Sequence, residues 1–182
     1  MPLSPEERAQ LVALARDAVE ARLAGRRLPA PAAADGVLAE AHGCFVTLTN
    51  QGRLRGCIGT FQPPAALAAT LPRMAAEAVR DSRFILAPVT ADELPQLTIE
   101  VSILSALTPM KGLEELRLGT HGIYVVQGNR AGCFLPEVAT DMGWNAEEFL
   151  DQCCSHKAGL PPGAWKQPGA TVFLFTSEKF DH

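Results

Sequence analysis

Two residues suited to thiol chemistry stand close together at positions 54–59, which read LRGCIG. Cys57 follows Arg55 by two residues, and in an extended strand such side chains point the same way, with Cα atoms about 6.5 Å apart. A guanidinium at that distance stabilises a thiolate, which is the nucleophilic and metal-binding form of cysteine. The spacing indicates a reactive Cys57 with Arg55 as thiolate or anion stabiliser. The alternative is a small buried side chain, since free cysteine is among the most buried residue types.

The glycines beside Cys57 bear on that choice. Glycine inside a strand marks a bulge, or a place where a ligand or another backbone comes close. Gly56 and Gly59 are therefore candidate ligand-binding positions, and the alternative is that they accommodate sheet curvature while Cys57 packs beneath a helix. Thr47 and Arg53 make the predicted strand face polar, so both are also candidate ligand-binding residues.

Two further residues are candidate catalytic groups. Glu100 lies on the polar side of the predicted strand LTIEVSIL, where its carboxylate could pair with Arg55 or act as a general base. His121 precedes Gly122 at the start of another predicted strand and could act as a base or a ligand. The alternatives are a structural ion pair for Glu100 and a hydrogen-bonded structural role for His121.

The other cysteines do not indicate a disulfide framework or a zinc site. The chain has five cysteines, with no CxxC pair and no zinc-like spacing, so we expect no metal site. No motif identifies a cofactor, because phosphate loops, HExxH, GxSxG and a dinucleotide fingerprint are absent. Burial as small hydrophobic side chains is the expectation for the remaining thiols: Cys44, Cys133, Cys153 and Cys154.

Composition and charge limit the classes of function. Sixteen basic and twenty acidic residues give a net charge of -4, which disfavours tight nucleic-acid binding. A local basic patch is the alternative to scattered surface charge, and its members would be Arg53, Arg55, Arg73, Arg80 and Arg83. No apolar stretch approaches the roughly 18 residues of a membrane span and no signal core opens the chain, so we expect a cytoplasmic protein.

A β-hairpin must position the cysteine motif. GCFVTLTN and RLRGCIG are rich in apolar and β-branched residues, and the intervening 50–52, Asn-Gln-Gly, suits a three-residue turn. In that register Thr47 would lie opposite Arg55, and Phe45 opposite Cys57. One face would then be apolar, formed by Val46, Leu48, Leu54 and Ile58.

Helices and further strands are predicted around this hairpin. A capping box at Ser4 starts a first helix, and Pro72 either kinks a second helix or makes a new one begin near Leu71. A tight hairpin turn is expected at 128–129, and a further capped helix begins at Asn145. The strand TVFLF at 171–175 is predicted to end the domain.

The chain resembles the AMMECR family, whose bacterial members are called AmmeMemoRadiSam system protein A. The resembling segments occur in the same order over roughly residues 40–176: LRGCIGTF, DSRF, TIEVSIL, GTHGIYV, FLPEVA followed by GW, and FLDQCCSHKAGLPPGAW. LRGCIG at 54–59 is the family's signature and matches without departure. DSRF departs from the family at Ser82, where proline is usual, and Pro72 falls in a helix expected to be continuous.

The resemblance implies a fold and a set of partners. The fold is α+β, with an antiparallel sheet flanked by helices and a smaller subdomain, in a single AMMECR-like domain over residues 1–182. Family members occur beside, or fused to, Memo-like proteins and radical S-adenosylmethionine (SAM) proteins, which implies a shared pathway. His121 matches the family's HG segment and Glu100 its EVS-type strand, but the resemblance supplies no reaction.

Three hypotheses of function follow. The first is a cytoplasmic cysteine-dependent enzyme, or subunit of an enzyme system, that uses Cys57 as nucleophile or redox thiol on an unknown small-molecule substrate. The second is a non-catalytic module that docks onto the Memo-like or radical SAM partner through its arginine-bearing face. Nucleic-acid binding is the third and is disfavoured by charge; salt-sensitive binding to RNA or DNA would be its signature.

Overall fold

A computed structural model describes residues 2–30 and 34–181 of the chain. The chain divides into two compact units, Met1–Leu104 with Glu178–His182, and Ser105–Ser177. This division does not test whether residues 1–182 form a single domain, so that stays a prediction.

Helices and strands make up both units. The α-helices are α1 (Pro5–Leu23), α2 (Leu67–Ala78), α3 (Glu137–Met142) and α4 (Ala146–His156). The strands are β1 (Cys44–Asn50), β2 (Arg53–Thr60), β3 (Leu97–Leu104), β4 (Thr108–Pro109), β5 (Gly122–Gln127), β6 (Arg130–Phe134), β7 (Ala170–Phe175) and β8 (Ser177–Asp181). Short 3-10 helices span Gly36–Ala39, Ser82–Phe84, Ala91–Gln96, Leu113–Glu115 and Ala164–Lys166.

The first unit is a four-stranded sheet with helices packed on one face. Its strand order is β2-β1-β3-β8, and β1 runs antiparallel to both β2 and β3. Alternate residues of β1 and β3 point into a core that they share with α1 and α2; those on β1 are Cys44, Val46 and Leu48, all fully buried. The other face carries the polar residues of the strands. The predicted α+β fold with an antiparallel sheet and flanking helices is confirmed.

The ends of α1 follow from its sequence. Ser4 accepts from the Glu7 N–H and Glu7 accepts from the Ser4 N–H, which is the predicted capping box, and Pro5 occupies the first turn. Gly25 follows the helix with a φ of +65°, a conformation that favours glycine. The predicted first helix is confirmed.

Pro72 lies inside α2, which continues through it as one helix. The predicted alternative of a second helix beginning near Leu71 is therefore wrong. Proline lacks the backbone donor that would bind the carbonyl four residues earlier, and its ring crowds that carbonyl. Burial of the surrounding residues against the sheet offsets that loss, since Leu67, Leu71 and Ala75 are fully buried.

The predicted register of the β1–β2 hairpin is wrong. The connection is a two-residue turn, because Asn50 pairs with Arg53 and the residues between them, Gln51 and Gly52, have φ of +50° and +77°. The pairing then shifts beyond Thr49, so that Leu48 lies opposite Gly56 and Arg55 is the extra residue of a bulge.

This shift changes which residues are neighbours. Thr47 lies opposite Cys57, and Phe45 opposite Gly59. Leu54, predicted on the apolar face, is 40% exposed. Sequence alternation could not predict this, because a bulge adds one residue to one strand and moves every later pair.

The second unit is another antiparallel sheet, of order β4-β7-β5-β6, packed against α4. Gly128 opens the β5–β6 turn with a φ of +59°, as predicted for a tight hairpin there. Asn145 caps α4 through its side chain, which confirms the predicted helix start. The helix buries Phe149 and Leu150 in the core of this unit.

β8 corrects one boundary. The strand predicted at 171–175 exists as part of β7, but it does not end the structure, because β8 follows and lies beside β3 at the edge of the first sheet. Its sequence, SEKFD, is short and charged, as edge strands often are, and so lacks a hydrophobic strand pattern. Within the described part of the chain, no helix is long and apolar enough to cross a membrane.

Candidate functional site

Three predicted site residues lie side by side across the first sheet. Cys57 pairs with Thr47, and Thr47 pairs with Glu100 on its other side, so the three side chains share one face in the order of their strands. We call them the polar row. Strands lie about 4.8 Å apart, which puts Cys57 and Glu100 about 10 Å apart with Thr47 between them.

Cys57 and Glu100, the two ends of the polar row, each contact one neighbouring side chain. The Thr47 hydroxyl donates to the Cys57 sulfur, with 3.2 Å between Oγ1 and Sγ. Glu100 lies 3.7 Å from the Lys179 ammonium, and both of these side chains are about one-third exposed. Cys57 itself is half-buried. The row thus combines a thiol, a hydroxyl and a carboxylate on a face that remains partly open to solvent.

The outer edge of β2 is closed at Cys57 by two residues that follow α2. The Cys57 N–H donates to Asp81 Oδ2 at 3.0 Å, and Arg83 Nη2 donates to the Cys57 carbonyl at 3.3 Å. Asp81 and Arg83 also bind each other, with 2.6 Å between Oδ2 and Nη2. We call this pair the edge clip. It satisfies backbone groups that an edge strand otherwise leaves open.

Charge holds the edge clip together. The Asp81 side chain is only 2% exposed, yet the hydrogen bonds from Arg83 keep the pKa of its carboxyl well below the usual range, against the opposing effect of burial. The Cys57 N–H adds to that lowering. The same pairing raises the pKa of Arg83, whose side chain is 57% exposed. The edge clip therefore brings both a guanidinium and a carboxylate to the Cys57 backbone, and the two charges compensate each other.

The edge clip also restricts the chemistry. In many acyl-transfer enzymes the backbone N–H of the nucleophile helps to bind the oxyanion. Here the Cys57 N–H already donates to a carboxylate, so it is not available for that purpose. Attack by Cys57 on a carbonyl would need oxyanion donors from elsewhere.

Arg55 has a different partner from the one its spacing suggested. It donates to both carboxylate oxygens of Glu93, at 2.7 and 2.8 Å, and Asn50 donates to the same carboxylate. These contacts, chiefly the hydrogen bonds from Arg55, lower the pKa of Glu93 to about 2. Glu93 thereby compensates the charge of Arg55, as Asp81 compensates that of Arg83, and of the two arginines Arg83 is the one that contacts the Cys57 backbone. A role of Arg55 beside the thiolate stays a prediction.

Protein atoms occupy the space beside the two motif glycines. A Cβ on Gly56 would lie well inside 3.0 Å of the Ala78 carbonyl oxygen, at the end of α2. A Cβ on Gly59 would meet the ring of Phe45, its cross-strand neighbour. The close approach predicted for these glycines is therefore made by the protein's own backbone and an aromatic ring, and ligand binding at them stays a prediction.

The remaining predicted residues lie apart from the polar row. Arg53 is exposed at the start of β2, next to the hairpin turn. His121 belongs to the second unit, where its Nδ1 accepts from the Arg117 N–H at 3.1 Å. Both of their predicted roles stay predictions.

Cys44, Cys153 and Cys154 are buried, and Cys133 is half-buried. Desolvation raises the pKa of Cys44 to about 12 and that of Cys133 to about 11, so both are protonated at neutral pH. Burial likewise raises the pKa of Cys153 and Cys154. Among residues 2–30 and 34–181, no three His, Cys, Asp or Glu side chains are grouped so that they could hold a metal ion.

Sequence reasoning missed the edge clip as part of the site. DSRF marked only a loop, although Asp81 two residues before Arg83 has the spacing of an Asp-capped turn, in which the carboxylate accepts from the following backbone N–H. That local pattern could have indicated an ordered Asp81–Arg83 pair. Its contact with a strand 24 residues earlier could not be read from spacing.

The chain is similar to known proteins both in sequence and in structure. A model of the AMMECR1 family matches residues 12–180. A protein of Methanothermobacter thermautotrophicus is 40% identical, over 98% of this chain and 96% of its own length, and one of Thermococcus gammatolerans is 41% identical, over 94% and 88%. The crystal structure of the uncharacterised protein PH0010 from Pyrococcus horikoshii has a TM-score of 0.88 and 34% identity, covering 99% of this chain and 93% of that one.

Proposed function

The chain belongs to the AMMECR1 family, and from that premise we propose that it is a cysteine-dependent enzyme, or a subunit of an enzyme system, acting through Cys57. Its reaction begins with attack by the Cys57 thiolate on an electrophilic carbon of a small substrate: the C–S bond forms as the bond from that carbon to a leaving group breaks, and the leaving group departs with the electron pair. The family resemblance suggests Memo-like and radical SAM proteins as partners in the same pathway.

The observation that carries this proposal is the hydrogen bond from Thr47 to Cys57. A hydroxyl that donates to sulfur stabilises the thiolate more than the thiol, because the charged acceptor forms the stronger hydrogen bond. Arg83, paired with Asp81, contacts the backbone of the same residue. The other thiols lack such support, as burial keeps Cys44 and Cys133 protonated.

The distance between Cys57 and Glu100 argues against Glu100 as the base that takes the proton of Cys57. A proton is transferred directly over about 3 Å, whereas two strand spacings separate these residues. Glu100 and its partner Lys179 would instead contact the far end of a substrate bound over Thr47. A substrate that spans the polar row is about 10 Å long, the size of a small metabolite.

The test is the rate of Cys57 alkylation by iodoacetamide, followed by mass spectrometry of the full-length protein. Cys57 should react before the four other cysteines. Thr47→Val should slow its alkylation at pH 7 by about tenfold, the effect of losing about 1.4 kcal/mol of thiolate stabilisation.

Thr49→Val is the matched control, because Thr49 lies on the same face of β1 but pairs with Leu54 instead of Cys57. It should leave the alkylation rate unchanged. Equal rates in Thr47→Val, Thr49→Val and the wild type would contradict the proposed activation of Cys57.

A second candidate function is a partner-binding module. Ile85 and Leu86, 75% and 99% exposed, lie two and three residues after Arg83 of the edge clip, where both apolar side chains are accessible to a partner. If docking is the function, Ile85→Ser with Leu86→Ser should abolish binding to a purified Memo-like partner while Cys57→Ser leaves binding and cellular activity intact. Loss of cellular activity in a folded Cys57→Ser variant that still binds would favour the enzyme.

A further inference from the structure

A half-open groove of about 540 Å³ lies between α1 and β8 in the first unit, on the helical side of the sheet. Its volume lies within the range of small-ligand sites. The residues that line it are Pro5, Arg8, Ala9, Val12, Ala13, Arg16, Asp17, Phe180 and Asp181. None of them belongs to the polar row or the edge clip.

The groove is mostly apolar. Pro5, Ala9 and Ala13 recur every four residues along α1, so they form one exposed stripe of small side chains. Val12 is buried beside the stripe, and Phe180 of β8 packs half-buried against the core from the opposite side. Small residues facing an aromatic side chain leave space for an apolar group.

Charges of both signs surround this apolar surface. Arg8 is paired with Glu178 at 2.6 Å. Arg16, Asp17 and Asp181 form no ion pair with any residue that the structure describes. Arg16 uses one nitrogen, Nη2, to donate to the Leu97 carbonyl at 3.3 Å, which leaves most of its five donors for other partners.

We propose that this groove binds a short apolar peptide with free termini. The peptide carboxylate pairs with Arg16, its ammonium group pairs with Asp17 and Asp181, and its side chains contact Ala9 and Phe180. A purely anionic ligand would meet the two carboxylates, and a purely cationic one would meet Arg16. Only a ligand with both charges complements all three unpaired groups.

The probe is trileucine, titrated calorimetrically into the full-length protein in four forms: free, N-acetylated, C-amidated, and blocked at both ends. Free trileucine should bind saturably with Kd below about 1 mM. Each single block should weaken binding about fivefold, the effect of one partly exposed ion pair. Binding that is absent, or equal for all four forms, would overturn the proposal.

Charge variants assign each terminus. In Arg16→Gln, amidation should no longer weaken binding, whereas N-acetylation still should. In the double variant Asp17→Asn with Asp181→Asn, the pattern should reverse. If amidation and acetylation weaken binding to these variants as much as to the wild type, the peptide binds elsewhere and the site is refuted. Thermal melts that match the wild type show that the variants are folded.

A filled groove provides a test that does not depend on charge. Ala9→Leu puts a larger side chain into the groove, while Gln10→Leu makes a similar change on α1 at an exposed residue outside it. Only Ala9→Leu should abolish trileucine binding. A concentration-dependent dimer that Ala9→Leu dissociates, without any peptide binding, would show a second copy as the occupant and refute the proposal.

Discussion

Gly56→Ala tests why a glycine stands next to the cysteine. The structure assigns Gly56 to packing, because the Cβ of an alanine would lie well inside 3.0 Å of the Ala78 carbonyl oxygen and at 3.0 Å from its carbonyl carbon. Ordinary van der Waals contact begins at 3.4 Å. Both atoms belong to backbone, so the clash cannot be relieved by rotation of a side chain.

The expected cost follows from that geometry. β2 and the end of α2 would have to separate by on the order of 1 Å, which loosens a core in which Leu48, Leu71 and Ala75 are fully buried. Overpacking a core costs about 1–3 kcal/mol, and backbone against backbone belongs at the upper end, about 3 kcal/mol. For a chain of this length that lowers Tm by about 6–12 °C.

The assay is thermal unfolding followed by far-ultraviolet circular dichroism. Gly169→Ala is the matched control, because a Cβ there would meet nothing closer than Gln127 at 3.7 Å, and its φ is not positive. Its Tm should stay within about 1 °C of the wild type. A Gly56→Ala protein as stable as the control would refute the packing role and return Gly56 to the ligand-binding hypothesis.

Two further predictions concern the charged pairs around β2. Arg55 holds the pKa of Glu93 at about 2 in the folded protein, below its ordinary 4.5, so the stability from this pair is complete above pH 4.5 and is lost as pH falls toward 2. Glu93→Gln should therefore cost about 2 kcal/mol at pH 7 in urea unfolding and converge with the wild type near pH 2, and a constant gap would contradict the pairing. Asp81→Asn removes a buried charge bound to Arg83 and should cost about 3 kcal/mol in the same assay, while the exposed control Asp92→Asn should cost less than about 0.5 kcal/mol. Equal effects of the two asparagine variants would refute the edge clip.

The elements around the site were predictable because their signals are local. Capping at Ser4 and Asn145 depends on residues within one turn, and alternation in 97–104 depends on the period of a strand. Alternation also placed Thr47 and Cys57 on one face of the hairpin, and Glu100 on the polar side of its own strand. Local hydrogen bonding and side-chain periodicity act the same way wherever the segment lies, so these predictions were confirmed.

The neighbours of Cys57 were not predictable in the same way. The two-residue turn moves the pairing by one residue from the predicted register, and the bulge at Arg55 moves it by one more, so that Thr47 instead of Phe45 lies opposite the thiol. Nothing in the residue types sets the position of a bulge, since it results from turn geometry and sheet twist together. Arg55 and Arg83 stood in the same candidate basic patch, but Arg55 binds Glu93, 38 residues away, whereas Arg83 binds its near neighbour Asp81.

By itself the sequence determined the membership of the family, the hairpin that carries LRGCIG and the face on which Cys57 lies, because motif order and alternation are properties of the chain alone. The tertiary structure decided that Glu93 binds Arg55, that Asp81 and Arg83 hold the Cys57 backbone, and that α2 packs on Gly56. These contacts join segments more than 20 residues apart, and only the packing of helix and loop against the sheet brings them within hydrogen-bonding distance.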